Sequence, residues 1–156
     1  MGTTLGKQAE AKIKEWLDRP ELGYSFDRIP DQMTGFYGSR NICDFTCYKF
    51  PYMYYIESKS TYEDRFDFSR ITNYQYENLL RKSQIAEVRS YIIVLFATYR
   101  QAFILNIQTI DNLIRSDMKS INIKKRIKWD FPYYEIPTIP SRKKLLDYTG
   151  DLPDNV

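Results

Sequence analysis

The sequence predicts a single α/β domain with a mixed central β-sheet flanked by helices on both faces. A length of 156 residues suits one domain. Because 43% of the residues are hydrophobic and 16% are aromatic, a disordered chain is excluded. The predicted elements follow the order helix, strands, helix, strand, strand, helix, which is typical of layered α/β proteins. We expect one domain over residues 1–156, with an N-terminal helix over 1–18, a catalytic core over 41–110 and a basic C-terminal segment and tail over 119–156.

The N-terminal segment has the pattern of an amphipathic helix. Its apolar residues recur at spacings of three and four, Thr3 and Thr4 are acceptable N-caps, and Pro20 ends the helix. Glycines and prolines then predict loops between residues 21 and 41, with a short strand near 24–28.

An antiparallel hairpin is predicted next. The segment 41–49 has the composition of a strand with Asp44 inside it, and Pro51 ends that strand. Residues 52–58 then form the returning strand. This pairing brings polar side chains of the two strands to one face of the sheet.

The second half of the chain alternates helices with apolar strands. The run over 91–97 is continuous and rich in β-branched residues, which is typical of a central buried strand. The other predicted elements are a helix over 69–86, strands over 102–107 and 133–136, a helix over 109–115, and a short helix from residue 142 that leads into a loose tail.

The composition excludes several classes of protein. The chain has no histidine, so imidazole-based catalytic triads, histidine-metal nucleases and Cys/His zinc fingers are excluded. Cys43 and Cys47 are too few for a disulfide framework, and alternation along the strand predicts that both face the core as buried thiols. With no secretory signal before them, a reducing cytoplasm fits best. The sequence contains no phosphate-binding loop of the Walker type, so it does not predict a nucleotide cofactor. The longest apolar run is too short to span a membrane.

The candidate chemistry lies in the pattern Asp44-x12-Glu57-Ser58-Lys59. If the hairpin pairs as predicted, Asp44, Glu57 and Lys59 project from the same face, with cross-strand neighbours about 5 Å apart. Two carboxylates are hard ligands that suit Mg²⁺ or Mn²⁺, and the Ser58 carbonyl is a candidate third ligand. A lysine beside such an ion can position or deprotonate the attacking water, or stabilise the phosphorane. The alternative is an ordinary solvated Glu–Lys pair, which is less expected where charges end apolar strands.

The stretch from Asp44 to Gln75 resembles the PD-(D/E)xK nuclease superfamily, and most closely the RecU-type Holliday junction resolvases and their phage relatives. The shared features are an Asp, a Glu-x-Lys about a dozen residues later, the aromatic link 66–68 and a helix that carries Gln. The resemblance implies a restriction-endonuclease-like core. It also implies metal ligation by Asp44 and Glu57, catalysis by Lys59, binding of water or phosphate by Gln75, and an approach of Glu10 from the first helix.

Two features depart from that family pattern. Cys43 stands where the superfamily name calls for proline. RecU-type resolvases usually carry a longer insert before the Asp, which forms a stalk that enters the junction, and only residues 22–41 are available for it here. The second departure concerns the selection of junctions rather than the nuclease core.

The activity that the resemblance implies is hydrolysis of DNA by a metal-dependent endonuclease. It would resolve four-way junctions by paired symmetric nicks, and two symmetric cuts imply a homodimer, with the first helix or residues 22–41 as the candidate interface. A phage gene would place the enzyme in the cytoplasm of a bacterial host. Two alternatives stay open: a repair, exonuclease or restriction-type nuclease on the same core, and a DNA-binding module that cleaves nothing.

Candidate DNA contacts come from a basic segment near the C-terminus. Residues 119–144 contain eight basic and two acidic residues, with Trp129 and Tyr133 interleaved, a pattern that favours binding of the phosphate backbone. Two further arginines flank the loop before Asp44. A solvated basic surface is the alternative for all of them. The candidate contacts are Arg28, Arg40, Lys119, Lys124, Lys125, Arg126 and Lys128.

Overall fold

A computed structural model describes residues 4–30, 41–141 and 146–156. Within these ranges a six-stranded mixed sheet lies at the centre, with helices on both faces, so the predicted fold class is confirmed. The helices are α1 (Thr4–Leu17), α2 (Asn73–Ser83) and α3 (Ile107–Arg115). The strands are β1 (Ser25–Arg28), β2 (Phe45–Lys49), β3 (Tyr52–Thr61), β4 (Arg65–Asp67), β5 (Val88–Phe96), β6 (Gln101–Asn106), β7 (Ser120–Asn122), β8 (Tyr134–Glu135), β9 (Thr138–Ile139) and β10 (Asp147–Tyr148). In the part of the chain that is described, no helix is long and apolar enough to cross a membrane.

The strand order of the main sheet is β1-β2-β3-β5-β6-β8. All neighbours are antiparallel except β3 and β5, which run parallel. A parallel pair needs a long crossover, and α2 supplies it between these two strands. Two small sheets complete the fold: β4 pairs with β7, and β9 pairs with β10.

Two hydrophobic cores cover the two faces of the sheet. On one face α1 packs against residues such as Tyr54, Ile56 and Tyr91. On the other face α2 and α3 pack against Ile92, Val94 and other residues of the same strands. Because β5 is buried on both faces, its sequence is a continuous apolar run rather than an alternating one.

The start of α2 differs from the sequence prediction. The helix was expected from residue 69, but it begins at Asn73. Thr72 is its N-cap and Gln75 completes a capping box, in which each side chain accepts a hydrogen bond from the other residue's backbone N–H. The preceding residues form the 3₁₀ helix Phe68–Arg70, because Phe68 is drawn into the core before the α-helix can begin.

The first strand of the hairpin is also shorter than predicted. It begins at Phe45, so Asp44 lies just before it rather than inside it. Both cysteines are buried as expected, but they do not share a face: Cys47 joins the α1 core, whereas Cys43 joins the core under α2 and α3. The reason is that the chain leaves regular strand geometry at Asp44, whose carboxylate binds the backbone of β3.

The C-terminal residues are packed, so the prediction of a loose tail is wrong. Over 146–156 the described chain forms β10 and an extended segment, without a helix. Lys12, buried on α1, lies 2.5 Å from Asp147, and the Trp16 indole N–H donates to the Gly150 carbonyl at 3.0 Å. Leu152 is buried in the α1 core. The tail is thus part of the layer that covers the first face of the sheet.

Candidate active site

Asp44 and Glu57 lie side by side at the junction of β2 and β3. The ladder between these strands begins at the pair Phe45 and Ile56, so the next position places Asp44 opposite Glu57. The Asp44 N–H donates to the Ile56 carbonyl at 3.0 Å, and the Asp44 Oδ2 accepts from the Ser58 N–H at 2.8 Å. The predicted cross-strand pair of carboxylates is therefore present, although Asp44 is held by the end of the ladder rather than by a full strand.

Burial disfavours the charged forms of both carboxyl groups, and the charge of Glu57 adds to this effect at Asp44. Burial, followed by the negative charge of Glu57, raises the pKa of Asp44 to about 7, while the hydrogen bond from Ser58 acts in the opposite direction. Burial likewise raises the pKa of Glu57, and the Lys59 ammonium opposes this shift. Without a cation between them, the two carboxylates are thus an unfavourable arrangement that the fold holds in place.

Lys59 lies on the same face as Glu57, two residues further along β3. Its Nζ lies 3.1 Å from the Glu57 Oε2 and 3.4 Å from the Gln75 Oε1. The Gln75 side chain also bonds with Glu57, which lowers the pKa of that carboxyl group. Gln75 therefore connects the first turn of α2 to both polar residues of β3.

One oxygen of Glu57 has no partner. The Oε1 atom is fully buried and accepts no hydrogen bond, although buried carboxylate oxygens normally do. The Glu57 side chain also contacts the Asp44 carboxyl group, so a cation placed between the two side chains would satisfy oxygen atoms of both. Hard oxygen donors of this kind fit a divalent ion such as Mg²⁺.

The carboxylates do not form a complete metal cage. Among the described residues no three acidic or cysteine side chains converge as a ligand cluster. Magnesium sites in proteins commonly use one or two carboxylates together with several waters and substrate phosphate. The backbone of Ser58 lies beside Asp44, because its N–H donates to the Asp44 Oδ2.

Glu10 and Arg28 border the carboxylate pair from the other side. Burial, and then the charge of Asp44, raises the pKa of Glu10, and the two side chains are in hydrogen-bond contact. The Arg28 Nη2 lies 3.1 Å from the Glu10 Oε2. The approach of Glu10 to Asp44 therefore agrees with the expectation from the sequence, and Arg28 is the counter-ion of Glu10.

Four of the remaining candidate DNA contacts lie together on one 3₁₀ helix. Arg40 falls outside the described residues. Lys119 is exposed, with its backbone carbonyl bonded to the Phe68 N–H. The other four belong to the 3₁₀ helix Ile123–Lys128: Lys124 lies 3.0 Å from Asp64, Arg126 is paired with Glu135, and Lys125 and Lys128 are exposed. Their role as DNA contacts stays a prediction.

Two polar residues near the site were missed from the sequence. Thr72 positions Gln75 through the capping box, and the Thr-x-x-Gln spacing before an apolar helix is a signal that could have found it. Arg70 donates to the Ser60 carbonyl at 2.8 Å, next to Lys59 on β3, and its guanidinium lies over the Phe66 ring. No local pattern marks that arginine, because its partner is a backbone carbonyl ten residues away.

Comparisons with known proteins agree with this geometry. The family model described as RecU, recombination protein U, matches residues 27–150. Among solved structures, the chain is similar to Archaeoglobus fulgidus Hjc, a Holliday junction resolvase from an archaeal hyperthermophile, with a TM-score of 0.53 and 15% sequence identity. The likeness covers 76% of this chain and 89% of that one, and it shows the restriction-endonuclease-like fold. No curated protein matches the chain.

Proposed function

Because the chain belongs to the family of recombination protein U, RecU, we propose that it resolves Holliday junctions as a structure-specific endonuclease. The observation that carries this proposal is the position of Asp44, Glu57 and Lys59. All three lie inside the matched region, and they meet at one end of the β2–β3 ladder. The reaction we propose is hydrolysis of one phosphodiester bond in each of two opposed strands.

We propose that a divalent cation, Mg²⁺ or Mn²⁺, completes this site. Asp44 and Glu57 would hold it, with the Ser58 carbonyl as a third oxygen ligand. The buried Glu57 Oε1 without a partner supports this assignment, as does the hard oxygen character of the donors. Such an ion, when bound, lowers the pKa of a coordinated water and neutralises charge on the phosphate.

Lys59 and Gln75 have separate roles in this proposal. The Lys59 ammonium, held 3.1 Å from Glu57, positions the attacking water and stabilises negative charge as it develops on the phosphate oxygens. Gln75 fixes the lysine through its side-chain oxygen, 3.4 Å away, and its amide group donates to Glu57. We assign Glu10 a positioning role: it does not bind the cation, and it orients Asp44 from α1 through their side-chain hydrogen bond.

DNA reaches the site along basic side chains. We assign phosphate contacts to Arg28, which pairs with Glu10, to Lys119, and to the cations of the 3₁₀ helix Ile123–Lys128, because clustered cations attract the DNA backbone. Arg40 is retained as a candidate contact from the sequence.

Paired cuts in opposed strands call for two active sites related by a two-fold axis, so we propose a homodimer. The two free, buried cysteines suit a reducing cytoplasm.

The test is a cleavage assay on two substrates. A labelled mobile four-way junction and a matching linear duplex are incubated with the protein, with Mg²⁺, with Mn²⁺ and with EDTA. We expect paired symmetric nicks in the junction only, and only with metal, and we expect Glu57→Ala and Lys59→Ala to abolish them while junction binding persists. Equal cutting of the duplex would move the protein to the general nucleases. Binding without cleavage by the wild type would leave a DNA-binding module.

A further inference from the structure

The tip of the 3₁₀ helix Ile123–Lys128 carries an apolar side chain that the proposed function does not use. Ile127 is 94% exposed, the highest value among the large hydrophobic side chains of the described residues. It follows Arg126 and precedes Lys128, so an apolar apex stands between cations. A solitary exposed isoleucine is ordinary on a protein surface. Ile127 differs in two respects: the helix that carries it is anchored in the core, and cations lie on both sides of it.

The base of this helix is firmly fixed. Ile123 is buried, and its N–H donates to the Asp64 carbonyl at 2.9 Å. The Asn122 side chain caps the helix by accepting a hydrogen bond from the Lys124 N–H at 2.9 Å. The backbone carbonyl of Asn122 accepts from the Trp129 indole N–H at 3.2 Å. Ile127 is thus presented on a rigid turn, which spares much of the entropy that a mobile loop would lose on binding.

The charges around Ile127 favour a polyanion. Four of the six residues of the helix are basic. Lys124 and Arg126 are paired with Asp64 and Glu135, which holds their positions, while Lys125 and Lys128 are exposed. A surface of this kind attracts phosphate groups on either side of its apolar tip.

The register of the sheet places this helix on the face that carries the candidate active site. Lys59 on β3 pairs with Val94 on β5, and Val94 pairs with Phe103 on β6. Paired residues share a face, and neighbouring strands lie about 4.8 Å apart, so the backbone of Phe103 is roughly 10 Å from that of Lys59. The Arg126 guanidinium lies over the Phe103 ring, 5.9 Å from its centroid. The 3₁₀ helix and Lys59 are therefore carried on the same face of the sheet, two strands apart.

The walls of an open cavity beside Ile127 combine aromatic and basic side chains. Its volume is about 520 Å³, within the range of sites that hold small organic groups. Aromatic rings offer surfaces against which a base packs, and the cations suit its phosphate. The lining residues are Ile123, Lys124, Arg126, Ile127, Trp129 and Tyr133.

We propose that Ile127 is a wedge that inserts beside an unstacked base of the bound DNA, while the neighbouring cavity receives the displaced base and the flanking cations hold the phosphates. Apolar side chains, isoleucine among them, are used in this way by proteins that open base steps. The centre of a four-way junction is where stacking is interrupted, so the wedge costs least there and contributes to the selection of junctions over duplex. This inference rests on the proposed function.

The test places 2-aminopurine, whose fluorescence rises when it is unstacked, at the branch point of a four-way junction and, as a reference, inside a linear duplex. Binding is measured in EDTA, where the proposed reaction does not proceed. We expect the wild type to raise the junction signal, and Ile127→Ala to lose most of that rise. The preference for junction over duplex is expected to fall about five- to tenfold in this variant, the size of a lost base contact. Ile127→Leu is expected to retain both properties.

The matched control is Ile139→Ala, which removes the same atoms from a side chain that is 52% exposed on β9. It is expected to behave as the wild type. The inference is overturned if Ile127→Ala keeps both the fluorescence rise and the junction preference, or if it weakens junction and duplex equally. Cleavage of the junction with Mg²⁺ is measured in parallel. If the wild type cleaves while the wedge readouts fail, only this inference falls, whereas a wild type that cuts no junction removes the proposed function itself.

Discussion

The side chain of Gln75 accepts a hydrogen bond from Lys59, with 3.4 Å between Oε1 and Nζ, while the same oxygen accepts from the Thr72 N–H at 3.3 Å. One amide oxygen thus closes the capping box of α2 and holds the candidate catalytic lysine. The start of the helix and the geometry of the site are therefore coupled, since neither can shift without the other.

This coupling predicts different effects for two changes at Gln75. Gln75→Glu keeps the capping box, because glutamate is the common residue at this position. It also places a negative charge beside Glu57. We expect its stability to stay near that of the wild type and its cleavage of junctions to fall by at least about tenfold. Gln75→Ala is expected to lose both cleavage and about 1 kcal/mol of stability, the usual worth of a cap.

Thr72 provides the control for that experiment. Thr72→Ser retains the hydroxyl and is expected to resemble the wild type, whereas Thr72→Ala loses the cap and about 1 kcal/mol. Urea unfolding and single-turnover cleavage separate the two effects. Equal activity in Gln75→Glu and the wild type would show that the amide group is not needed by Glu57 or Lys59.

Asp44 is expected to destabilise the metal-free protein. Its carboxyl group is partly buried and faces Glu57, and its pKa is raised to about 7. An acid whose pKa is higher in the folded state loses stability as pH rises from its unfolded value toward its folded one. Asp44→Asn removes that cost, so we expect a higher melting temperature than the wild type in EDTA at pH 8, by about 2–4 °C for each kcal/mol gained.

The same substitution is expected to abolish cleavage. The stability difference should shrink as pH falls from 7 toward 4, because the folded wild type takes up the proton at Asp44 over this range, whereas the unfolded form, with its ordinary pKa of 3.8, does so only near pH 4 and below. Added Mg²⁺ should raise the melting temperature of the wild type more than that of the variant. A lower melting temperature for Asp44→Asn at pH 8 in EDTA would mean that the bond from the Ser58 N–H outweighs the repulsion.

The sequence was most informative where a residue's role depends on its own strand. Alternation along β3 was enough to place Glu57 and Lys59 on one face, and the pairing of the hairpin brought Asp44 opposite Glu57. The continuous apolar run identified β5 as central. It was least informative where partners are distant. The bond from Arg70 to the Ser60 carbonyl and the ion pair between Lys12 and Asp147 join segments with no shared local pattern.

The difference at the start of α2 has a related cause. The predicted helix began at Ser69 because the helical spacing of apolar residues extends back to Ile71, yet Phe68 and Ile71 are buried at the two ends of a 3₁₀ helix. Tertiary packing decided the boundary between those elements, and the capping signal at Thr72 marked it. Likewise, the tail was expected to be loose because its polar composition does not reveal that Leu152 has a place in the core.

Lys125 and Lys128 are predicted to act on DNA affinity through charge alone. Both are exposed on the 3₁₀ helix, so replacing either one should weaken binding of junction and duplex by similar factors. The slope of log affinity against log salt should fall by about 0.9 for each lysine that contacts a phosphate. Titrations over a range of NaCl concentrations in EDTA measure it. Lys14→Ala, on the exposed face of α1, is the matched control, and an unchanged slope in Lys125→Ala would remove that residue from the DNA interface.

The packing of the tail predicts that Leu152 contributes to stability although it lies near the C-terminus. Leu152 is 4% exposed in the α1 core, and its N–H donates to the Tyr24 hydroxyl at 2.9 Å. Truncation of a buried leucine costs about 2–4 kcal/mol, because it loses apolar contact and leaves a cavity. We therefore expect Leu152→Ala to lower the free energy of unfolding by that amount in urea titrations. Leu22→Ala, at a side chain that is 46% exposed, should change it by less than about 0.5 kcal/mol. If both variants unfold at the wild-type urea concentration, the tail does not hold α1 against the sheet in solution.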